Sequence, residues 1–325
     1  MKPSKFKMAA LASAVLMCAA GSAQAGAYAV AYLNIQNFAV TAPNGGIQFT
    51  NSVDTSSASA TLNGGTAGPT GGTNVSDAPI AVVGTTSPPV SNNSQFTATT
   101  ITPVGATGQG DYSYADARIV HTSATVFNAQ TIAESHLATS GSANGTSTNS
   151  SASAFTSTLV VGAGTVLDFA FSADALISTF LQVSSGLFAQ GTISASLNIT
   201  CNQLSGCGTR AGGAPILFNE VVFSWAPDGI ANNAGGTVGG ADDLDAMTLN
   251  TPLSNFNPPG GLLEYSTGVN AYHARTNALG AGTYTLSLAM TSTDATLKAI
   301  PEPGTLALLG LGLSGLALST RRRKA

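Results

Sequence analysis

A two-residue alternation of apolar and polar side chains constrains this chain more than any other feature, and it is cleanest near the end. Tyr284, Leu286, Leu288 and Met290 fall on one face and Thr285, Ser287, Ala289 and Thr291 on the other, behind the turn Gly280-Ala281-Gly282. A helix here would scatter the apolar positions around its circumference, so the pattern predicts a half-buried strand. The same reading applies to Leu167, Phe169 and Phe171, to Ile193, Ala195, Leu197 and Ile199, and to Val221, Phe223 and Trp225. Tyr28, Val30 and Tyr32 open a further strand whose face shifts near Leu33. Charged residues make up only 8% of the chain, too few for the amphipathic surface helices that rely on Glu, Lys and Arg. The expected fold is all-β: an antiparallel β-sandwich or jelly-roll-like ectodomain with long Gly/Ser/Thr-rich loops.

Other stretches are less regular. Residues 41–103 are low in complexity and rich in turn formers, with short strands expected at 46–49 and 80–83. Residues 126–137 fit a strand, while Val126, Ala129, Ala133 and Leu137 also lie at helical spacing; the strand is the preferred reading. Residues 139–153, dominated by Ser, Asn and Thr, read as a hairpin loop.

The two ends carry different information. Lys2, Lys5 and Lys7 precede an apolar run at 8–20, and Ala23-Gln24-Ala25 supplies a small-x-small cleavage site before Gly26, so residues 1–25 read as a secretory signal peptide. At the other end, Pro301-Glu302-Pro303 is followed by thirteen residues, 306–318, that are only Leu, Ala, Gly or Ser, and then by Arg321, Arg322, Arg323 and Lys324. A helix of that length spans roughly 20 Å against a hydrocarbon core of ~30 Å, which makes a short and marginal transmembrane helix. The cations behind it favour the cytoplasmic side.

These C-terminal residues resemble the PEP-CTERM sorting signal of bacterial exosortase substrates, and the resemblance is confined to residues 301–325. It implies an exported protein held in the inner membrane by its tail during transit, with an exosortase-type sorting protease as partner. It further implies tail removal and a final place at the cell surface or in the extracellular matrix. The organisation is then a signal peptide at 1–25, a β-rich secreted domain at 26–299 forming one large or two smaller units, and a sorting tail at 300–325.

Removing the ends changes the charge. Seven of the eleven cations lie in them, so residues 26–303 keep Arg118, Arg210, Arg275 and Lys298 against all fifteen acidic residues, a net of −11. Such a surface disfavours nucleic acid as a partner and favours cations or the neutral glycans of an exopolysaccharide or cell surface. Cys201 and Cys207 remain as an even pair in an oxidising compartment and predict a disulfide. Asp242, Asp243 and Asp245 form the one concentrated carboxylate group, with Asp228 nearby. They are a candidate Ca²⁺ site set against a plain solvated acidic loop; no other cofactor is indicated.

Catalytic motifs are scarce. His121, His136 and His273 are isolated, no G-x-S-x-G elbow occurs, and the G-x-G-x-x-G match at 310–315 lies inside the tail with no βαβ unit around it. The leading expectation is a noncatalytic surface or matrix protein associated with exopolysaccharide, biofilm or floc. A Ca²⁺-dependent or glycan-binding adhesion module is the alternative, and a secreted hydrolase is a third reading.

Overall fold

The computed structural model describes residues 26–84, 110–123, 126–137, 141–149, 155–181, 187–209, 213–230, 237–256 and 261–298. The expected signal peptide with Ala23 and Ala25, the sorting residues Pro301, Glu302, Pro303, Arg321, Arg322 and Arg323, and the stretch expected as a short transmembrane helix lie outside them. Among the described residues no helix is long and apolar enough to cross a membrane.

In chain order the strands are β1 (Ala27–Thr41), β2 (Ile47–Leu62), β3 (Gly65–Thr73), β4 (Ala81–Gly84), β5 (Tyr112–Ser123), β6 (Val126–Leu137), β7 (Gly141–Asn149), β8 (Phe155–Val161) and β9 (Asp168–Leu181). They continue as β10 (Leu187–Cys201), β11 (Val221–Trp225), β12 (Thr237–Val238), β13 (Gly240–Asp245), β14 (Thr251–Phe256), β15 (Gly261–Ser266), β16 (Asn270–Thr276) and β17 (Gly282–Lys298). An eight-stranded sheet runs β13-β16-β9-β1-β6-β5-β4, with β15 also on β9. A nine-stranded sheet runs β12-β11-β10-β17-β7-β2-β3, with β14 on β10 and β8 bridging β17 and β2. Every ladder between these strands is antiparallel, and the two sheets stack as a β-sandwich.

The alternations at residues 167–171, 193–199 and 284–290 turn their apolar sets toward the opposite sheet, as do Phe223 and Trp225 of β11, whereas Val221 is exposed beyond a bulge and Tyr28, Val30 and Tyr32 of β1 pack on the other face of the eight-stranded sheet. Ala189, Ile193, Ala195, Leu197 and Ile199 of β10 are buried, as are Tyr284, Leu286, Leu288 and Met290 of β17. Phe127 meets Phe155 across the gap at 4.5 Å between ring centroids, and Phe171 meets Trp225 at 5.4 Å. Aromatic pairs at such distances add specific geometry to the area they bury. The face does not shift near Leu33, where the register is regular and both faces of β1 are buried; the bulge lies between Ile35 and Phe38, where Asn37 takes a positive φ of 53° and its N–H donates to Asn128 Oδ1 at 2.7 Å.

Two stretches expected as loops are strands. Residues 47–62 and 65–73 form a hairpin through Asn63 and Gly64, whose φ values of 50° and 84° suit the two-residue turn that matches strand twist. Residues 141–149 pair with β17 on one side and β2 on the other. Their small polar residues carry no alternation in sequence to mark them as a strand.

The sheets approach closely where side chains are small. At Gly191 in β10 an added Cβ would collide with Ile177 Cγ2 of β9 and lie 2.9 Å from Val30 O of β1. Gly191→Val should therefore destabilise the domain by about 1–3 kcal/mol through overpacking, read as a lower urea midpoint. An unchanged midpoint would contradict this close approach.

Candidate functional site

The acidic group at 242–245 sits on β13, the edge strand beside β16. Asp242 pairs with Ala274 and Leu244 with His273, so Asp243 is the extra residue of a bulge. In a regular strand, residues three apart face opposite ways. The bulge cancels that alternation and turns both Asp242 and Asp245 into the sandwich, where they are 0% and 1% exposed. Asp228, in the loop after β11 of the other sheet, completes a group whose three ligand-capable oxygens lie within 4.8 Å of one another.

Hydrogen bonds account for only part of this oxygen set. Asp245 Oδ2 accepts from Asp228 N at 2.7 Å and Asp228 Oδ1 accepts from Ile230 N at 2.9 Å. Both carboxylate oxygens of Asp242 and Oδ1 of Asp245 are buried without a hydrogen-bond partner. Burial pushes the Asp245 carboxyl up to about 6, with the Asp228 and Asp242 charges adding to it and two backbone N–H groups opposing it. Chemically the arrangement can hold a hard cation on oxygen ligands.

Asp243 is not part of this group. It points to the outer surface, where its Oδ1 meets His273 Nδ1. There it adjoins Asp168, which accepts from Arg275 Nε at 2.5 Å and lies 3.9 Å from His273 Nε2. Spacing in sequence could not separate Asp243 from its neighbours, because the bulge that does so is invisible there. His121 lies near Asp54, Nε2 to Oδ1 at 2.8 Å, and Ser76 Oγ donates to Asp54 Oδ2 at 2.8 Å. The carboxylate thus stands between hydroxyl and imidazole, the wrong order for a nucleophile activated by a histidine base. Cys201 and Cys207 are joined by a disulfide that closes the loop at the end of β10.

A larger feature is the outer face of the nine-stranded sheet. Alternation turns Thr192, Ser194, Ser196, Asn198 and Thr200 of β10 outward, with Thr283, Thr285, Ser287, Thr291 and Thr293 of β17. Register aligns them in rows: Thr192 beside Thr293, Ser194 beside Thr291, and Thr200, Thr285, Thr158 and Thr50 across four strands. Strand geometry spaces such a lattice at ~4.8 Å across the strands and ~6.7 Å along them. The outward positions of β8, β10 and β17 hold no Asp, Glu, Lys or Arg.

With this geometry in place, comparison with known proteins adds one finding. A family model described as a PEP-CTERM protein-sorting motif matches residues 299–323. The chain carries a PEP-CTERM sorting tail. That motif directs export, with membrane-anchored transit before processing by an exosortase. No curated protein and no solved structure matches the chain.

The domain that precedes the PEP-CTERM tail also holds a buried carboxyl on the other face of the eight-stranded sheet. Glu134 Oε1 accepts from Tyr28 at 2.9 Å and Tyr112 at 2.7 Å, while Oε2 is buried without a partner. Tyr114 and Asp116 of β5 and His136 of β6 share this face. Burial raises the Glu134 carboxyl from the ordinary 4.5 to about 7, against the lowering effect of the two tyrosine hydroxyls. The folded state therefore keeps a proton that the unfolded chain has lost between these values. Its contribution to stability is full below about pH 4.5 and is lost as pH rises through about 7, on the order of 3 kcal/mol. Urea midpoints from pH 5 to 8 should fall for the wild type and fall less for Glu134→Gln; equal slopes would contradict this protonation.

Proposed function

We propose that the exported chain is a noncatalytic surface or extracellular-matrix protein that associates with exopolysaccharide in biofilm or floc through the outer face of its nine-stranded sheet. The observation that carries this reading is the outer side of β8, β10 and β17: rows of hydroxyls with no Asp, Glu, Lys or Arg at the outward positions, on a domain whose net charge is strongly negative. Soluble proteins usually place both signs of charge on exposed faces, which keeps them apart from neighbours and solvated. A hydroxyl lattice gives up that repulsion. It offers donors and acceptors at repeating distances, which complements a neutral polymer that repeats its own hydroxyls.

The sorting tail supports the same reading, because the export it implies is what a partner outside the cell requires. The Ser76-Asp54-His121 order supports a noncatalytic role. The exosortase-type protease is the partner in transit, and glycan the partner at the destination.

Retention of the exported protein on the producer's own neutral exopolysaccharide tests the proposal. The wild type should be retained, and a variant with Thr158→Lys and Thr285→Lys, both outward and in one row, should elute early while melting at a similar temperature. Equal retention of the two, or no retention of the wild type, would contradict it.

A further inference from the structure

The geometry points to a Ca²⁺ site formed by Asp228, Asp242 and Asp245 that staples the open edge of the sandwich, joining the loop after β11 to edge strand β13. Two facts beyond the clustering of acidic residues support it. Asp242 is 0% exposed with neither carboxylate oxygen hydrogen-bonded, and Asp245 Oδ1 is buried in the same condition. A buried carboxylate with no partner is strongly disfavoured unless it is neutralised. Among the described residues, no Lys, Arg or His forms an ion pair with any of the three: Arg275 and His273 are turned to the outer surface with Asp168 and Asp243.

The donor set selects the ion. It contains oxygen only, with neither His nor Cys, which disfavours zinc. Oxygens bound to one Ca²⁺ at ~2.3–2.6 Å lie at most about 5 Å apart, and the three here lie within 4.8 Å. Ca²⁺ also accepts irregular coordination completed by carbonyls and water, whereas Mg²⁺ demands an octahedron at ~2.0–2.1 Å.

Position gives the ion its role. Asp228 belongs to a connection of the nine-stranded sheet, and Asp242 and Asp245 to the edge of the eight-stranded one, so neutralising them removes repulsion between the two layers. The affinity expected for an extracellular module of this kind, ~10⁻⁴–10⁻³ M, would leave the staple open before export and close it in a Ca²⁺-rich exterior. The inference goes beyond the exopolysaccharide reading, since a domain that binds no glycan would still bind the ion.

The test uses exported protein purified from the secreting host, stripped with EGTA and titrated with CaCl₂ in a calorimeter, with thermal melts at each endpoint. The expected result is one Ca²⁺ per chain and a higher melting temperature when it is bound. Asp242→Asn should weaken binding by more than about tenfold, and Asp243→Asn should leave it within about twofold. Without Ca²⁺, Asp242→Asn should melt no lower than the stripped wild type, because it removes an uncompensated charge; this readout separates loss of a ligand from loss of the fold. Absence of Ca²⁺ binding to the wild type, or equal loss in Asp243→Asn and Asp242→Asn, would overturn the assignment.

Discussion

Antiparallel pairing of β10 with β17 holds this structure together, unbroken from Leu187 opposite Lys298 to Cys201 opposite Tyr284. The register of that one ladder decides which residues enter the core and which meet solvent. In it Leu197 faces Leu288 and Ile199 faces Leu286 on the buried side, and Ser194 faces Thr291 on the outer side. A slip of one residue would exchange the two sets. Both strands are flanked on each side by others, so their backbone groups are satisfied within the sheet.

The interior of the sandwich changes character along these strands. Toward Tyr284 it is aromatic and aliphatic, filled by Phe38, Phe127, Phe155 and Trp225. Toward Thr296 the inward positions of β17 become Ser292, Asp294 and Thr296, and the sheets touch through hydroxyls. Thr131 and Ser292 meet at 2.7 Å, and Thr296 donates to Ser135 at 3.1 Å. Small side chains permit the close approach seen at Gly191, and the hydroxyls of Thr131, Ser135, Ser292 and Thr296 are tolerated in the interior because they pair across the gap. The composition that leaves this chain poor in large apolar residues is thus accommodated by thin packing and cross-sheet hydrogen bonds.

That same composition decided what could be read in advance. Strands with contrasting faces, such as residues 167–172, 193–199 and 284–291, were legible because one set is apolar and the other is not. β7 was not, since a run such as Gly141-Ser142-Ala143-Asn144 has no contrast to show. The hairpin turn at Asn63-Gly64 falls within the stretch read only as rich in turn formers; β3 beyond it is Gly, Thr, Ala and Pro, and its strand character comes from pairing with β2. At the acidic group, composition identified the neighbourhood and even Asp228. What it could not supply was the bulge at Asp243, which turns one carboxylate outward to His273 and two inward. Pairs such as His121 with Asp54, 67 residues apart, had no local signal at all.

Since the inward set of β10 and β17 and the hydroxyl face both follow from one register, cross-strand disulfide trapping tests the account most directly. In the exported protein, Thr192→Cys with Thr293→Cys places two thiols opposite each other on the outer face, while Thr192→Cys with Ser292→Cys places them on opposite faces. The account predicts spontaneous oxidation of the first pair alone, detected by mass spectrometry of peptides. Preferential bridging of the second pair would mean that the register is shifted and the assignment of inner and outer faces is wrong.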